Sequence, residues 1–296
     1  MIPNRHEETV QWIGPKDAKI SAKLFRARDA LSACIAEDLG FECGMYAGSI
    51  ASLAVLGRPD IMVLTLSEFA EQAMRIGRAS SLPLICEVDN GYGNALNVMR
   101  TVQELETAGV VAINLEDTVA PRPYGPSDKL KVVSIDEGVG KMRAALAARE
   151  DKSMVIAGRT RALTIEPLKS VIARCVAYEK AGVDAMFLAG AKTRKQLEAI
   201  RSAIKIPIFL GSVDPDSEIG DKVYLGKMGV RIALQGHLGI RASVQAQYDT
   251  LKALRDGTNP KTVKGIASAA LMKKITREGD YQRWSKAYLG GPWTGH

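Results

Sequence analysis

Long apolar runs are missing from this 296-residue sequence, and none approaches the roughly 20 residues a helix needs to cross a bilayer. The opening residues, MIPNRHEETVQW, carry acids and no apolar core segment, so they do not read as a secretory signal. The expectation is a cytoplasmic protein with no membrane contact. Cysteine is sparse: Cys34, Cys43, Cys86 and Cys175 lie far apart without a CxxC pair. That excludes zinc-type spacing and a dense disulfide framework, and each thiol sits in an apolar pattern where burial is ordinary. Aromatic residues make up only 5% of the chain. The formal net charge is +7, yet basic residues alternate with acids, as in EKAGVD and KMRAALAARED. Without a basic run interleaved with aromatics, no nucleic-acid partner is expected, only a mild attraction for small anions. The dinucleotide fingerprint is absent as well, since GYGNAL (91–96) lacks the GxGxxG spacing.

What the chain does contain is a repeating unit. A helical segment ends in glycine, an apolar residue follows, and a short β-rich run comes next: AEDLGFECGMYAG (36–48), ELETAGVVAINLED (104–117), YEKAGVDAMFLAG (178–190) and LGKMGVRIALQG (225–236). Gly40, Gly109, Gly182 and Gly229 suit the left-handed position just past a helix end. Further strand-like runs lie at 22–28, 83–89, 154–160 and 206–212, which brings the number to eight. The runs are too apolar for half-exposed strands, which marks a parallel sheet covered by helices. Between them, segments such as 67–79, 95–108, 139–150, 167–181 and 194–204 repeat apolar residues at intervals of three and four. Strict alternation over eight units predicts one α/β domain over 1–296, a (β/α)8 TIM-type barrel with extra C-terminal helices. An open doubly wound sheet is the alternative. Residues 1–20 read as an N-terminal extension and about 262–290 as a helical tail packed on the barrel or a neighbouring subunit. Residues 118–135 form a Pro/Gly-bearing loop long enough to be a lid.

In such a barrel the site lies where strands end and βα-loops begin. Those positions hold Asp29, Ser49, Asp60, Glu87, Asp89, Glu116, Asp117, Arg159, Arg161, Ser212, Asp214 and His237. Several carboxylates share a dry pocket only if a cation offsets their repulsion or some are protonated. Oxygen-only donors select a hard ion such as Mg2+, with Mn2+ the alternative, and Glu87, Asp89, Asp60 and Glu116 form the ligand set, direct or through water. The planar fork of Arg159 suits a substrate carboxylate. Arg161 faces the same way if its strand continues, with a surface ion pair as the other reading. His237 reads as a proton donor or a group stacked on the substrate.

The same motifs resemble a known family. DALSACIAEDLGFECGMYAGSIASL (29–53), EVDNGYGN (87–94), NLEDTV (114–119) and GRTRA (158–162) are similar to the isocitrate lyase/phosphoenolpyruvate mutase superfamily. The likeness runs from about residue 20 to 290. GYGNALNVMRTVQELE (91–106), DEGVGKMRAALAARED (136–151), the Gly236-His237 pair and YQRWSKAY (281–288) point to its oxaloacetate decarboxylase branch. The resemblance implies a Mg2+ site near Glu87, Asp89, Asp60 and Glu116, with substrate bound by Arg159 and the Ala47-Gly48-Ser49 turn. Ser212, Arg161 and His237 complete the expected substrate set. It also implies a homotetramer that exchanges C-terminal helices. The Lys-Lys-Cys-Gly lid signature of isocitrate-type lyases is replaced here by APRPYGP, which fits the decarboxylase branch. The family usually has Asp at Glu87, an aromatic residue at Arg28, Asn at Arg161, and the branch a tyrosine near Val213. These differences add positive charge and alter the pocket's shape.

The expectation is therefore a Mg2+-dependent carbon–carbon lyase acting on a small 2-oxo dicarboxylate, with oxaloacetate decarboxylation to pyruvate as the first reading. In it Arg159 orients a carboxylate and His237 protonates the enolate. The alternatives are cleavage of another substituted malate, 2-oxo or phosphono acid, and a non-catalytic protein that binds oxo acids.

Overall fold

The computed structural model describes residues 24–122, 124–125, 129–234 and 236–292; the expected N-terminal extension, 1–20, lies outside them. Eight strands pair in chain order, each parallel to the next. They are β1 (Leu24–Arg26), β2 (Cys43–Tyr46), β3 (Leu84–Glu87), β4 (Ala112–Glu116), β5 (Val155–Thr160), β6 (Ala185–Leu188), β7 (Ile208–Ser212) and β8 (Val230–Leu234). Each is followed by a helix: α1 (Ala30–Asp38), α2 (Leu66–Ala79), α3 (Ala95–Thr107), α4 (Ile135–Ala148), α5 (Leu168–Ala181), α6 (Arg194–Ala203), α7 (Lys222–Lys227) and α8 (Leu238–Arg255). Two more helices, α9 (Ala269–Ile275) and α10 (Glu278–Tyr288), end the chain. This is a (β/α)8 barrel of the TIM type, nearly closed, with C-terminal helices added. Among the described residues the ladder runs from β1 to β8 without joining those two edges.

Local chemistry sets the element ends. Gly40, Gly109, Gly182 and Gly229 all adopt positive φ, between 72° and 102°, so each helix–strand turn uses the conformation glycine alone takes without strain. Thr65 with Glu68, Asn94 with Asn97 and Thr193 with Gln196 form reciprocal capping pairs that start α2, α3 and α6.

Strand parity divides the core in two. Met45, Ile85, Ala112, Val155, Ala157, Phe187, Phe209 and Ile232 fill the barrel interior. The alternate residues, among them Tyr46, Cys86, Ile113, Ile156 and Leu188, pack outward against the helices. Both strand faces are buried, which explains the near-continuous apolar runs.

The tail behaves differently. Lys274 and Arg277 pair with Asp38 and Glu37 of α1, and Ile275 is buried. On α10 the side chains of Tyr281, Trp284 and Tyr288 remain exposed, as do Val244, Tyr248 and Leu251 on α8.

Candidate active site

The C-terminal ends of β3, β4 and β5 open into a cavity of about 290 Å³. Asp60, Glu87, Asp89, Glu116, Arg159 and Arg161 all line it. The expected lid supplies a wall through Thr118 to Arg122. Its base is zipped to the β4 end: the Val119 N–H donates to Lys131 O at 2.9 Å and the Val133 N–H to Asp117 O at 2.8 Å.

Asp89 sits just past β3 with a φ of 45°, unusual for a residue bearing a Cβ. The Glu116 N–H donates to its carbonyl at 2.7 Å, and the Gly91 N–H donates to Val88 O at 2.8 Å. Lys141 Nζ donates to Gly93 O at 2.9 Å, securing the far side of the same turn. Gly48 presses on the carboxylate from β2's end, where an added Cβ would lie 2.7 Å from Asp89 Oδ1. Burial first, then the charges of Asp60 and Glu116, push the Asp89 carboxyl up to about 7. Burial also raises Glu116, against the hydrogen bond from Thr118 and the charge of Arg161.

Arg159 holds the centre. It forms an ion pair with Glu87, both side chains being 13% exposed. Its Nε lies 2.8 Å from Glu116 Oε2 without an aligned N–H, a charge contact rather than a hydrogen bond. Nη1 donates to Asn114 Oδ1 at 3.3 Å, and the guanidinium carbon stands 4.9 Å from the Phe187 ring centroid. Burial, then the charges of Arg161 and Arg26, bring Arg159 down to about 9, still cationic at neutral pH.

Sequence reading named most of these side chains but not their pairings. Glu87 is engaged by Arg159, leaving Asp89 as the carboxylate facing Asp60 and Glu116. Asp60 and Arg161 stand exposed at the mouth, and β5 ends at Thr160, so Arg161 belongs to the following turn. Ala47 and Gly48 are buried, while Ser49 Oγ lies 2.8 Å from His237 Nε2. His237 is half-buried beside that turn and lowered by burial, then by Arg26. Ser212 ends β7, exposed, and is not among the lining residues. Asp29 caps α1 and Asp117 turns away from the cavity toward α5. Asn114 and Thr118, which sequence reading passed over, hold Arg159 and Glu116. Strand parity marks Asn114, two residues before Glu116.

A hard divalent cation fits this donor set. The acids are all oxygen donors, and Asp89 is raised by burial first and then by the negative charges of Asp60 and Glu116, so a cation there would offset both. Among the described residues no three His, Cys, Asp or Glu side chains stand close enough to ligate one ion together. An ion held by one or two carboxylates and several waters suits that spacing.

A parallel barrel with buried acids and an arginine at its C-terminal rim defines an enzyme architecture. The phosphoenolpyruvate phosphomutase family model matches residues 17–255, and the chain belongs to that family. It is 53% identical over 262 residues to an oxaloacetate decarboxylase of Bradyrhizobium sp. (strain ORS 278), covering 88% of this chain and 90% of the relative. An oxaloacetate decarboxylase of Rhodopseudomonas palustris (strain ATCC BAA-98 / CGA009) is 52% identical over the same shares. Among solved structures, phosphonopyruvate hydrolase in complex with oxalate and Mg2+ superposes with a TM-score of 0.81 at 28% identity, covering 96% of this chain and 99% of that one.

Proposed function

We propose that this protein is a Mg2+-dependent carbon–carbon lyase that decarboxylates oxaloacetate to pyruvate and CO2. The observation that carries the reading is the meeting of Asp60, Glu87, Asp89, Glu116 and Arg159 around one rim cavity. The decarboxylases at 52–53% identity support the substrate, and the Mg2+–oxalate complex of a structural relative supports the metal. Asp89 is the first-choice ligand, with Asp60 and Glu116 reached through water. Bound there, the ion supplies Lewis acidity toward the 2-oxo group.

The chain's own residues do the rest. Arg159 orients the C1 carboxylate, exchanging one of its two carboxylate partners for the ligand. The C3–C4 bond breaks, its electron pair enters the C2–C3 enolate and C4 leaves as CO2. No base is needed to start this. The enolate then takes one proton at C3. Ser49 and His237, joined at 2.8 Å, form a polar pair beside the Gly48 turn that relays it. Loss of negative charge from C4 is favoured where water is excluded, and Val119 to Pro121 wall the cavity with apolar groups.

The same reading makes the chain one domain and a cytoplasmic homotetramer that exchanges C-terminal helices. Four free thiols suit a reducing compartment. The exposed apolar residues of α8 and α10 suit a subunit contact. Oxaloacetate consumption with Mg2+, measured against the metal-only background, tests the assignment. Turnover above background in the wild type and its loss in Arg159→Ala are the expected results; background rates in the wild type overturn it.

A further inference from the structure

Arg26 is a charged residue of the barrel interior that the chemistry above leaves unused. On β1, Leu24 packs against the interior cluster and Phe25 against the outer one. Arg26, two positions past Leu24, therefore faces inward, and its register partner Met45 belongs to the interior cluster. Nε and Nη1 are both buried without a hydrogen-bond partner.

A guanidinium is costly to bury without an acceptor, because its fixed donors lose water and gain nothing in exchange. Two rim acids cannot answer it: Glu87 and Glu116 are held by Arg159. Burial lowers Arg26 only to about 10, so it stays charged at neutral pH. Arg26 ends β1, the strand beside β2, and lines a cavity of about 460 Å³ together with Gly236 and Leu238, the neighbours of His237, which places it on the β1–β8 side of the rim. The missing partner is an anionic group that arrives with the ligand. With Arg159 and the acids engaging the 2-oxo acid head, that group is the one at the other end.

We propose that Arg26 receives the second, distal carboxylate of the ligand and makes the site selective for 2-oxo dicarboxylates over 2-oxo acids that lack that group. This rests on the reading that the rim takes a 2-oxo dicarboxylate. One kinetic consequence follows from charge alone. A guanidinium paired with the C4 carboxylate stabilises charge that CO2 release removes, so losing Arg26 raises KM without lowering kcat.

The test is calorimetric titration, with Mg2+ present, of 3,3-difluorooxaloacetate and of oxalate, which has no distal group. Wild type, Arg26→Met and Arg26→Lys are compared. Arg26→Met is expected to weaken 3,3-difluorooxaloacetate at least about ten-fold, the scale of a lost charge-assisted pair, and oxalate less than about two-fold. Arg26→Lys falls between, and carries the ligand test should Arg26→Met fail to fold. Removal of an uncompensated charge also raises the melting temperature of ligand-free Arg26→Met, by roughly 2–4 °C. For oxaloacetate, KM rises in parallel while kcat holds or increases. Equal losses for both ligands, or a lowered melting temperature, show a structural residue and overturn the proposal. If wild type turns over oxaloacetate while Arg26→Met and Arg26→Lys bind the dicarboxylate normally, this inference falls and the decarboxylase reading stands. If wild type neither turns over oxaloacetate nor binds either ligand, both fall.

Discussion

Glu116 and Asp117 are neighbours at the end of β4, 7% and 1% exposed, yet they face opposite regions of the molecule. Asp117 points outward to α5, where its Oδ2 accepts from Arg174 Nη1 at 3.2 Å and from the Tyr178 hydroxyl at 3.0 Å. Arg174 also donates to Val133 O and meets Glu166. Burial works to lower Arg174, yet Tyr178, Asp117 and Glu166 together hold it above its ordinary value. Glu116 points inward, where one arginine is divided between two carboxylates and Asp89 stands beside them. Outside the barrel Asp117 has Arg174 and Tyr178 as partners within the fold, although burial still raises its carboxyl. At the rim, negative charge exceeds what Arg159 can balance, and the excess is available to a cation. Adjacent acids on one strand thus face an ion-pair network on one side and an open cavity on the other.

The sharpest way to break this comparison is Arg174→Met. It strands Asp117 as an unpaired buried carboxylate, and urea denaturation is expected to show a loss of about 3–5 kcal/mol. Activity per folded molecule should stay near wild type; a large fall in kcat at full stability means the outer network also serves the chemistry. Asp89→Asn is expected to do the reverse. Oxaloacetate turnover should drop on the order of a hundred-fold or more, with Mg2+ affinity falling alongside and thermal stability unchanged or higher.

A smaller effect comes from pH. The folded-state Asp89 carboxyl, raised to about 7 from an ordinary 3.8, binds its proton more tightly than in the unfolded chain. Ligand-free stability from this group is therefore greatest at low pH and declines as pH climbs through 7. Mg2+ competes with that same proton, so calorimetry should find its affinity rising about ten-fold between pH 6 and 8. Asp89→Asn should flatten the profile. The least effect on the site comes from the tail: Trp284→Ala, 50% exposed on α10, should weaken subunit association roughly ten-fold by sedimentation while leaving Mg2+ affinity intact.

Much of the barrel was legible because its signals are local. Glycines at 40, 109, 182 and 229 announced helix ends, and all four adopt positive φ. Strand-end counting named every acid that lines the cavity. What sequence reading could not see is which charge answers which. Glu87 and Arg159 are 72 positions apart, Asp117 and Arg174 57 apart, and only closure of the barrel brings them together. Arg26 was passed over for a narrower reason. β1 is three residues long and ends at Arg26, so the strand-end position lies two residues before Arg28, which the motif highlights. Arg28 instead pairs with Asp29.

Gly48 carries a consequence for how this barrel can change. Its α-carbon rests directly against the Asp89 carboxylate, with less room than a methyl group requires. The turn proposed to bind substrate and the acid proposed to hold the ion are thus two sides of a single contact. A variant that remodels the first must also displace the second, so new specificity is more readily acquired from the opposite wall, where Thr118 to Arg122 face the cavity.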